Sequence, residues 1–167
     1  MKPLRLAVDT NVLLDLADGV EAVLDTVAII DQRLPDSDIL VVPSVLDELA
    51  FLCDSGDTDL VRKSSLSALK LIRRQDRFRP LLELPCPASL VEEVARAARS
   101  RGLLPEEEVH DSLILAEAAL LSCGLLLTSD EHLCGVDHER LTLLLNPYEL
   151  VPPVIASPRE IVRKFFH

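Results

Sequence analysis

Leu4 to Val8 is a largely apolar run that stops at Asp9, and the way it stops constrains what the rest of the chain can build. A run this short suits one buried strand and is too brief for a helix. Asp9-Thr10-Asn11 breaks it, and Val12, Leu13 and Leu16 resume at helical spacing. A strand therefore ends at an acid, and a helix starts at once. In open α/β sheets the carboxyl ends of the strands line the crevice where ligands bind. The plainer reading is that Asp9 or Thr10 caps the helix, which stabilises it by about 1 kcal/mol. A chemical role for Asp9 requires other acids at the same edge.

Three further acids are candidates. Ile39 to Val42 reads as a second strand ended by Pro43, and Ser44-x-x-Asp47 then has the form of a capping box. That gives Asp47 a structural task and leaves Glu48 without one. Leu125 to Leu127 is a third strand, followed by Thr128-Ser129-Asp130-Glu131. A box formed by Thr128 and Glu131 would likewise leave Asp130 spare. A helix is expected from Pro105-Glu106-Glu107-Glu108 on to Gly124, with proline and acids at its dipole-favoured start. Within it Asp111 shares the apolar face of Ile114, Leu115 and Ala118. A carboxylate on a buried stripe is costly unless it is paired or bound to metal.

The remaining elements fill in between these. Val20 to Leu34 reads as a helix with Val23, Leu24, Val27, Ile30 and Leu34 on one side, and residues 59–79 as a long helix stopped by Pro80. In that helix Leu66, Leu69 and Ile72 are expected to face the core. Leu81 to Leu84 suits a short strand, Ala88 to Arg101 a helix, and Leu141 to Leu145 a last strand. Asn146 to Pro158 looks irregular. Ser157-Pro158-Arg159-Glu160 opens a final helix that Ile161, Val162, Phe165 and Phe166 would dock. Strands alternating with helices imply an α/β fold, a mostly parallel sheet covered on both faces. At 167 residues the expectation is one domain over 1–167, with 147–167 as a proline-rich connection and short helix.

No stretch approaches the 18 or so apolar residues of a membrane span, and Met1 leads directly into the first strand, so a cytoplasmic protein without a signal peptide is expected. Cys53, Cys86, Cys123 and Cys134 show no C-x-x-C spacing and read as free thiols. The net charge of −11 argues against sequence-blind duplex DNA binding. It leaves a nuclease open, because acids that hold a metal count toward it. Between Arg62 and Arg79 the local charge is +6, leaving −17 for the rest. Such a stripe is usually a solvated helix face. The contrast keeps phosphate contact by Lys63, Lys70, Arg73, Arg74 and Arg77 in play. His110, His132, His138 and His167 lack metal-ligand spacing with a cysteine and read as surface or incidental residues. There is no phosphate-cradling glycine-rich loop. With no Trp and a single Tyr148, base stacking is not expected to drive recognition.

Four acids at one crevice would repel one another unless a cation joined them, and hard oxygen ligands suit Mg²⁺ or Mn²⁺. The segments Val8-Asp9-Thr10-Asn11-Val12-Leu13-Leu14, Val42-Pro43-Ser44-Val45-Leu46-Asp47-Glu48-Leu49, Asp111-Ser112-Leu113-Ile114-Leu115-Ala116 and Leu127-Thr128-Ser129-Asp130 resemble the PIN domain in content and order. That family includes the toxin nucleases of VapC-like toxin–antitoxin pairs and RNA-processing nucleases. The resemblance implies a three-layer α/β/α fold and a metal-dependent ribonuclease site carried by Asp9, Glu48, Asp111 and Asp130. Asn11 and Thr128 or Ser129 would support those acids from behind. The implied partners are an RNA substrate, an antitoxin protein and a second copy of the chain in a homodimer. The basic segment from Asp57 to Leu84 and the stretch from Asn146 to Pro158 are longer than a minimal toxin needs.

Two rival readings compete with it. A haloacid-dehalogenase type phosphotransferase also uses a strand-end Asp, but expects a second acid two positions on, where this chain has Asn11. A non-catalytic PIN-fold module that binds a partner protein is the other, and the presence of all four acids argues against it.

Overall fold

The computed structural model describes residues 2–165. Five parallel strands form one sheet: β1 (Arg5–Val8), β2 (Asp38–Val41), β3 (Phe78–Pro80), β4 (Leu125–Leu127) and β5 (Val154–Ala156), in the order β3-β2-β1-β4-β5. Helices flank it: α1 (Thr10–Ala17), α2 (Glu21–Arg33), α3 (Pro43–Ser55), α4 (Asp59–Arg74), α5 (Ala88–Ser100), α6 (Val109–Leu120), α7 (Glu131–Cys134), α8 (His138–Leu145) and α9 (Pro158–Phe165). This is the three-layer α/β/α arrangement expected.

β1 is central, with Leu6 paired to Ile39 on one side and to Leu125 on the other. Leu6, Ala7 and Val8 are buried, as are Ile39 to Val41 and Leu126 and Leu127. Strands covered on both faces have no polar face, so their sequences run apolar without alternation. Strand order runs outward from β1 in one direction to β3 and in the other to β5. The reversal falls between β1 and β4. In sheets of this kind a crevice opens at that point beyond the strand ends.

Several elements differ from the expectations. The helix over 59–79 ends at Arg74, and Phe78–Pro80 forms the edge strand that the sequence pattern puts at Leu81 to Leu84. A strand with Pro80 is tolerated there because an edge strand leaves one row of donors unpaired. The buried face of α4 is Ser64, Ser65, Ala68 and Ile72, while Leu66 is exposed. Leu141 to Leu145 lies in a helix, not a strand. Asp137 caps it by accepting from Arg140 N at 2.8 Å, and Leu141, Leu144 and Leu145 are buried while Leu143 is 71% exposed. That spacing is one helix face, and a short leucine run does not distinguish the two by composition.

The last strand is β5, inside the stretch that reads as irregular. α6 begins at Val109, since Pro105 to Glu108 form a turn before it, and it ends at Leu120 rather than Gly124. α9 has the expected box: Ser157 N donates to Glu160 Oε2 at 2.9 Å, and Glu160 N donates to Ser157 Oγ at 3.2 Å. Phe166 and His167 lie outside the described residues. The four cysteines are free thiols, and Cys123 is the buried one. Among the described residues, no helix is long and apolar enough to cross a membrane.

Candidate active site

Asp9 leaves β1 at the point where the strand order reverses. Its backbone N still donates to Leu127 O at 2.9 Å, so it is the last rung of the β1–β4 ladder. Its buried carboxylate caps α1 by accepting from Thr10 N at 2.7 Å through Oδ1. Oδ2 accepts from Thr128 Oγ1 at 2.7 Å and from Asn11 Nδ2 at 3.3 Å. Thr128 Oγ1 in turn accepts from Asp130 N at 3.0 Å, and Asn11 Oδ1 accepts from Ser129 N at 3.2 Å. Asn11, Thr128 and Ser129 thus lace the ends of β1 and β4 together around Asp9. Burial pushes the Asp9 pKa up, and the Thr128 and Thr10 hydrogen bonds oppose this without cancelling it.

Asp130 is not spare, contrary to the expectation from spacing. It caps α7 by accepting from Leu133 N at 2.9 Å, and no Thr128–Glu131 box forms. Capping turns its carboxylate toward the helix start while the side chain stays at the same sheet edge. Asp111 sits in the first turn of α6, which projects to this edge because α6 must end where β4 begins. Its pKa is raised to about 7 by burial, then by the charges of Asp130 and Asp9, with Glu108 adding to the effect. Asp111 therefore feels the charges of two aspartates from two other elements across the crevice.

Glu48 accepts from Thr10 Oγ1 at 2.5 Å, and the His110 Nε2 lies 2.5 Å from the same Oε2. The imidazole N–H does not point along that line, and the nitrogen has no hydrogen-bond partner of good angle. The pair is a charge contact more than a hydrogen bond. Burial raises the Glu48 pKa, but the neighbouring His110 and Thr10 outweigh it and the net direction is down. The Glu48 carboxylate raises His110 against burial, with help from Asp9 and Asp111.

The donor set at this edge is all carboxylate oxygen, which suits a hard divalent ion. As placed, no group of three His, Cys, Asp or Glu side chains among the described residues converges closely enough to hold one. The local bonds explain this: Asp9 and Asp130 are turned onto caps and Glu48 onto Thr10 and His110.

The PIN domain family model matches residues 6–139. The chain is a PIN-domain protein. Its fold is similar to a chain of VapBC2 from Rickettsia felis, solved bound to a DNA fragment from its promoter. Identity is 13%, with 92% of this chain and 98% of that one covered, at a TM-score of 0.60. A chain of FitAcB from Neisseria gonorrhoeae is 15% identical, with the same coverage, at a TM-score of 0.55. No curated protein matches the chain in sequence.

Two residues of this PIN domain have more to do than their sequence context suggests. His110 reads as incidental by spacing, yet it is the neighbour of Glu48. Its one sequence signal is its place beside Asp111 in the first turn of α6. Glu117 is buried two turns further on, where its carboxylate accepts from Ser44 N at 3.1 and 3.2 Å and from Ser44 Oγ at 2.6 Å. Ser44 is therefore not the cap of α3. Val42 is the N-cap residue, with no side-chain bond, and Pro43 follows at the start of the helix. A buried anion from α6 does the capping instead, favoured by the helix dipole. This fixes the helix that carries Glu48.

Of the cations expected to meet RNA, Arg73, Arg74 and Arg77 lie toward the opposite edge. Arg77 lies beyond α4, where its Nε meets Asp31 Oδ1 at 2.5 Å and its other nitrogens reach Ser37 O and Ser37 Oγ. Those partners flank the start of β2, so Arg77 is at the edge where strands begin. A four-residue strand spans about 13 Å, which separates it from the acids. Arg73 and Arg74 end α4 three or four residues earlier, on the side of that same edge. Lys63 and Lys70 are exposed along α4.

Proposed function

We propose that this PIN domain is a metal-dependent endoribonuclease, acting as the toxin of a toxin–antitoxin pair. The carrying observation is the gathering of Asp9, Asp111 and Asp130 at the strand-order reversal, near enough for their charges to help hold the Asp111 pKa at about 7. Structural acids are normally paired or hydrogen-bonded until their pKa falls. An acid raised by burial and by its acidic neighbours, as Asp111 is, is a candidate for binding a cation or a proton.

Asp9, Asp111 and Asp130 would hold one or two Mg²⁺ or Mn²⁺ ions, and Glu48 would complete the set directly or through water. Bound there, such an ion polarises the phosphate and lowers the pKa of a water for in-line attack. The protein's own share is orientation. Thr128, Asn11 and the Thr10 N–H fix the Asp9 carboxylate, while Thr10 and His110 hold Glu48. The likeness to chains of the VapBC2 and FitAcB assemblies supports a small protein partner, here an antitoxin. A cytoplasmic location belongs to the same reading.

The test is cleavage of a labelled RNA together with thermal melts. Purified protein should cut RNA in Mg²⁺ or Mn²⁺ and not in chelator, and Asp9→Asn and Asp111→Asn should each abolish cutting. Metal at a hundred times its Kd should stabilise the unmodified protein by about 2.7 kcal/mol. Intact RNA together with an unmoved melting temperature in metal would remove the reading.

A further inference from the structure

Four arginines lie on α5, its cap and α8, and α5 packs against both α6 and α8. Arg96, Arg99 and Arg101 come from the C-terminal end of α5 and its cap, and Arg140 from the first turn of α8. Arg99 Nη1 donates to Ser112 Oγ at 2.6 Å, and that hydroxyl donates to Val109 O at 2.6 Å. Ser112 directly follows Asp111, so the Arg99 guanidinium is tied to the first turn of the helix that carries Asp111. Its Nε is buried without a hydrogen-bond partner. Arg96 and Arg99 share a cavity of about 210 Å³ with Glu92, Val109 and Leu113. Arg140 Nη2 donates to Arg101 O at 2.6 Å, which joins the two helices into one basic surface.

None of these four forms an ion pair among the described residues, whereas Arg62, Arg77 and Arg79 all do. The helix dipole accounts for cations at the end of α5 but works against Arg140 at the start of α8. Guanidinium forks match phosphate oxygens two at a time. In a chain of net charge −11, an RNA strand entering a cleft of three aspartates is repelled unless cations line its approach.

We propose that the RNA backbone enters the acidic crevice over this α5–α8 arginine patch. Arg99 is a positioning residue beside Asp111, and Arg96, Arg101 and Arg140 meet neighbouring phosphates. The inference rests on the nuclease reading above and moves substrate binding away from α4.

The test uses the full chain and a fluorescent single-stranded oligouridylate, with anisotropy measured in chelator across a salt series. Replacing Arg96, Arg101 and Arg140 together with Gln should weaken binding by roughly tenfold for each arginine–phosphate bond removed. The log–log salt slope should flatten by about 0.7 for each phosphate left without its cation. Arg99→Lys keeps the charge and loses the fork. It should lower kcat roughly tenfold or more with an unchanged melting temperature, through misplacement of the strand. If the unmodified protein binds and cuts RNA and the triple variant does so equally, the patch is not the RNA path. Loss of binding in Lys63→Gln/Lys70→Gln instead would put the strand on α4. A triple variant that keeps RNA but loses polyglutamate binding would give the patch to an acidic protein segment, and the proposal would be wrong. An unmodified protein that neither binds nor cuts RNA removes the nuclease reading and this inference together.

Discussion

The two edges of the sheet treat charge in opposite ways. Where the strands begin, cations are satisfied within the chain: Arg77 meets Asp31, Arg79 meets Asp38, and Arg5 donates to Leu121 O at 2.9 Å. Where the strands end, Asp111 is raised by burial and by the charges of Asp130 and Asp9, Glu48 has His110 as its charged partner, and the nearby arginines hold a hydroxyl and a carbonyl but no carboxylate. Folding stability alone favours the first pattern, because pairing lowers the free energy of both partners. The second pattern costs stability, and clusters of this kind are concentrated at functional sites. Under the proposed function, the contrast separates the part of the molecule that holds itself together from the part that would take the metal and the substrate.

Glu117 is the largest challenge to that division, since it is a buried acid yet belongs to the framework. Its pKa is raised by burial, and the Ser44 bonds oppose this. Glu117→Ala would strand the Ser44 N–H and hydroxyl in the interior, at a cost of about 3 kcal/mol in a urea melt. Glu117→Gln keeps one acceptor for Ser44 and should cost less. Because α3 carries Glu48, metal-dependent cleavage should fall in the Ala variant as well. A neutral Glu117→Ala would mean that hydrogen bonding does not sort the acids of this edge.

Asp111 should behave in the opposite sense. Its raised pKa means that the folded state holds a proton which the unfolded chain has already lost. The stabilisation is full below about pH 4 and fades as pH rises through the folded pKa near 7. In chelator, Asp111→Asn should therefore match the unmodified protein at acid pH. Above pH 7 it should be more stable, by roughly 1–2 kcal/mol, since half-exposure screens much of the repulsion. Activity should be lost at every pH. An Asn variant that melts lower in chelator at pH 8 would make Asp111 a structural acid like Glu117.

These two acids also show what a sequence can and cannot reveal. The stop at Asp9 and the apolar stripe around Asp111 are legible because each breaks a pattern within one segment. The central strands are legible because burial on both faces makes them apolar throughout. β3 and β5 are not, since each has three residues and lies against prolines, and only the neighbouring strand makes it a strand. The Leu141 to Leu145 run fits either period and is decided by its Asp137 cap. The tie between Glu117 and Ser44 spans 73 residues, and that of Thr128 to Asp9 spans 119, so neither leaves a local trace. Asp130 and Ser44 mislead for the same reason: spacing suggests capping boxes there, while donors and acceptors distant in sequence or one position off the box take their place.

The smallest expected effect lies at the edge where the strands begin. Arg79 meets Asp38 at 3.3 Å, with the arginine side chain 62% exposed. An exposed pair held at that distance contributes about 0.5 kcal/mol or less, and salt screens it further. Arg79→Gln should therefore leave the urea midpoint nearly unchanged in low salt and wholly unchanged in high salt. It should leave the metal-induced shift in melting temperature intact, because the carboxylates proposed to hold the metal are at the other end of the strands. The measurement is a pair of melts, in chelator and in Mg²⁺, run on Arg79→Gln and on the unmodified protein. Equal metal shifts would show that the two edges are energetically independent. A smaller shift in the variant would mean that charge at the start of β3 is felt by acids two strands away, and the division between a self-paired edge and a ligand-dependent one would not hold.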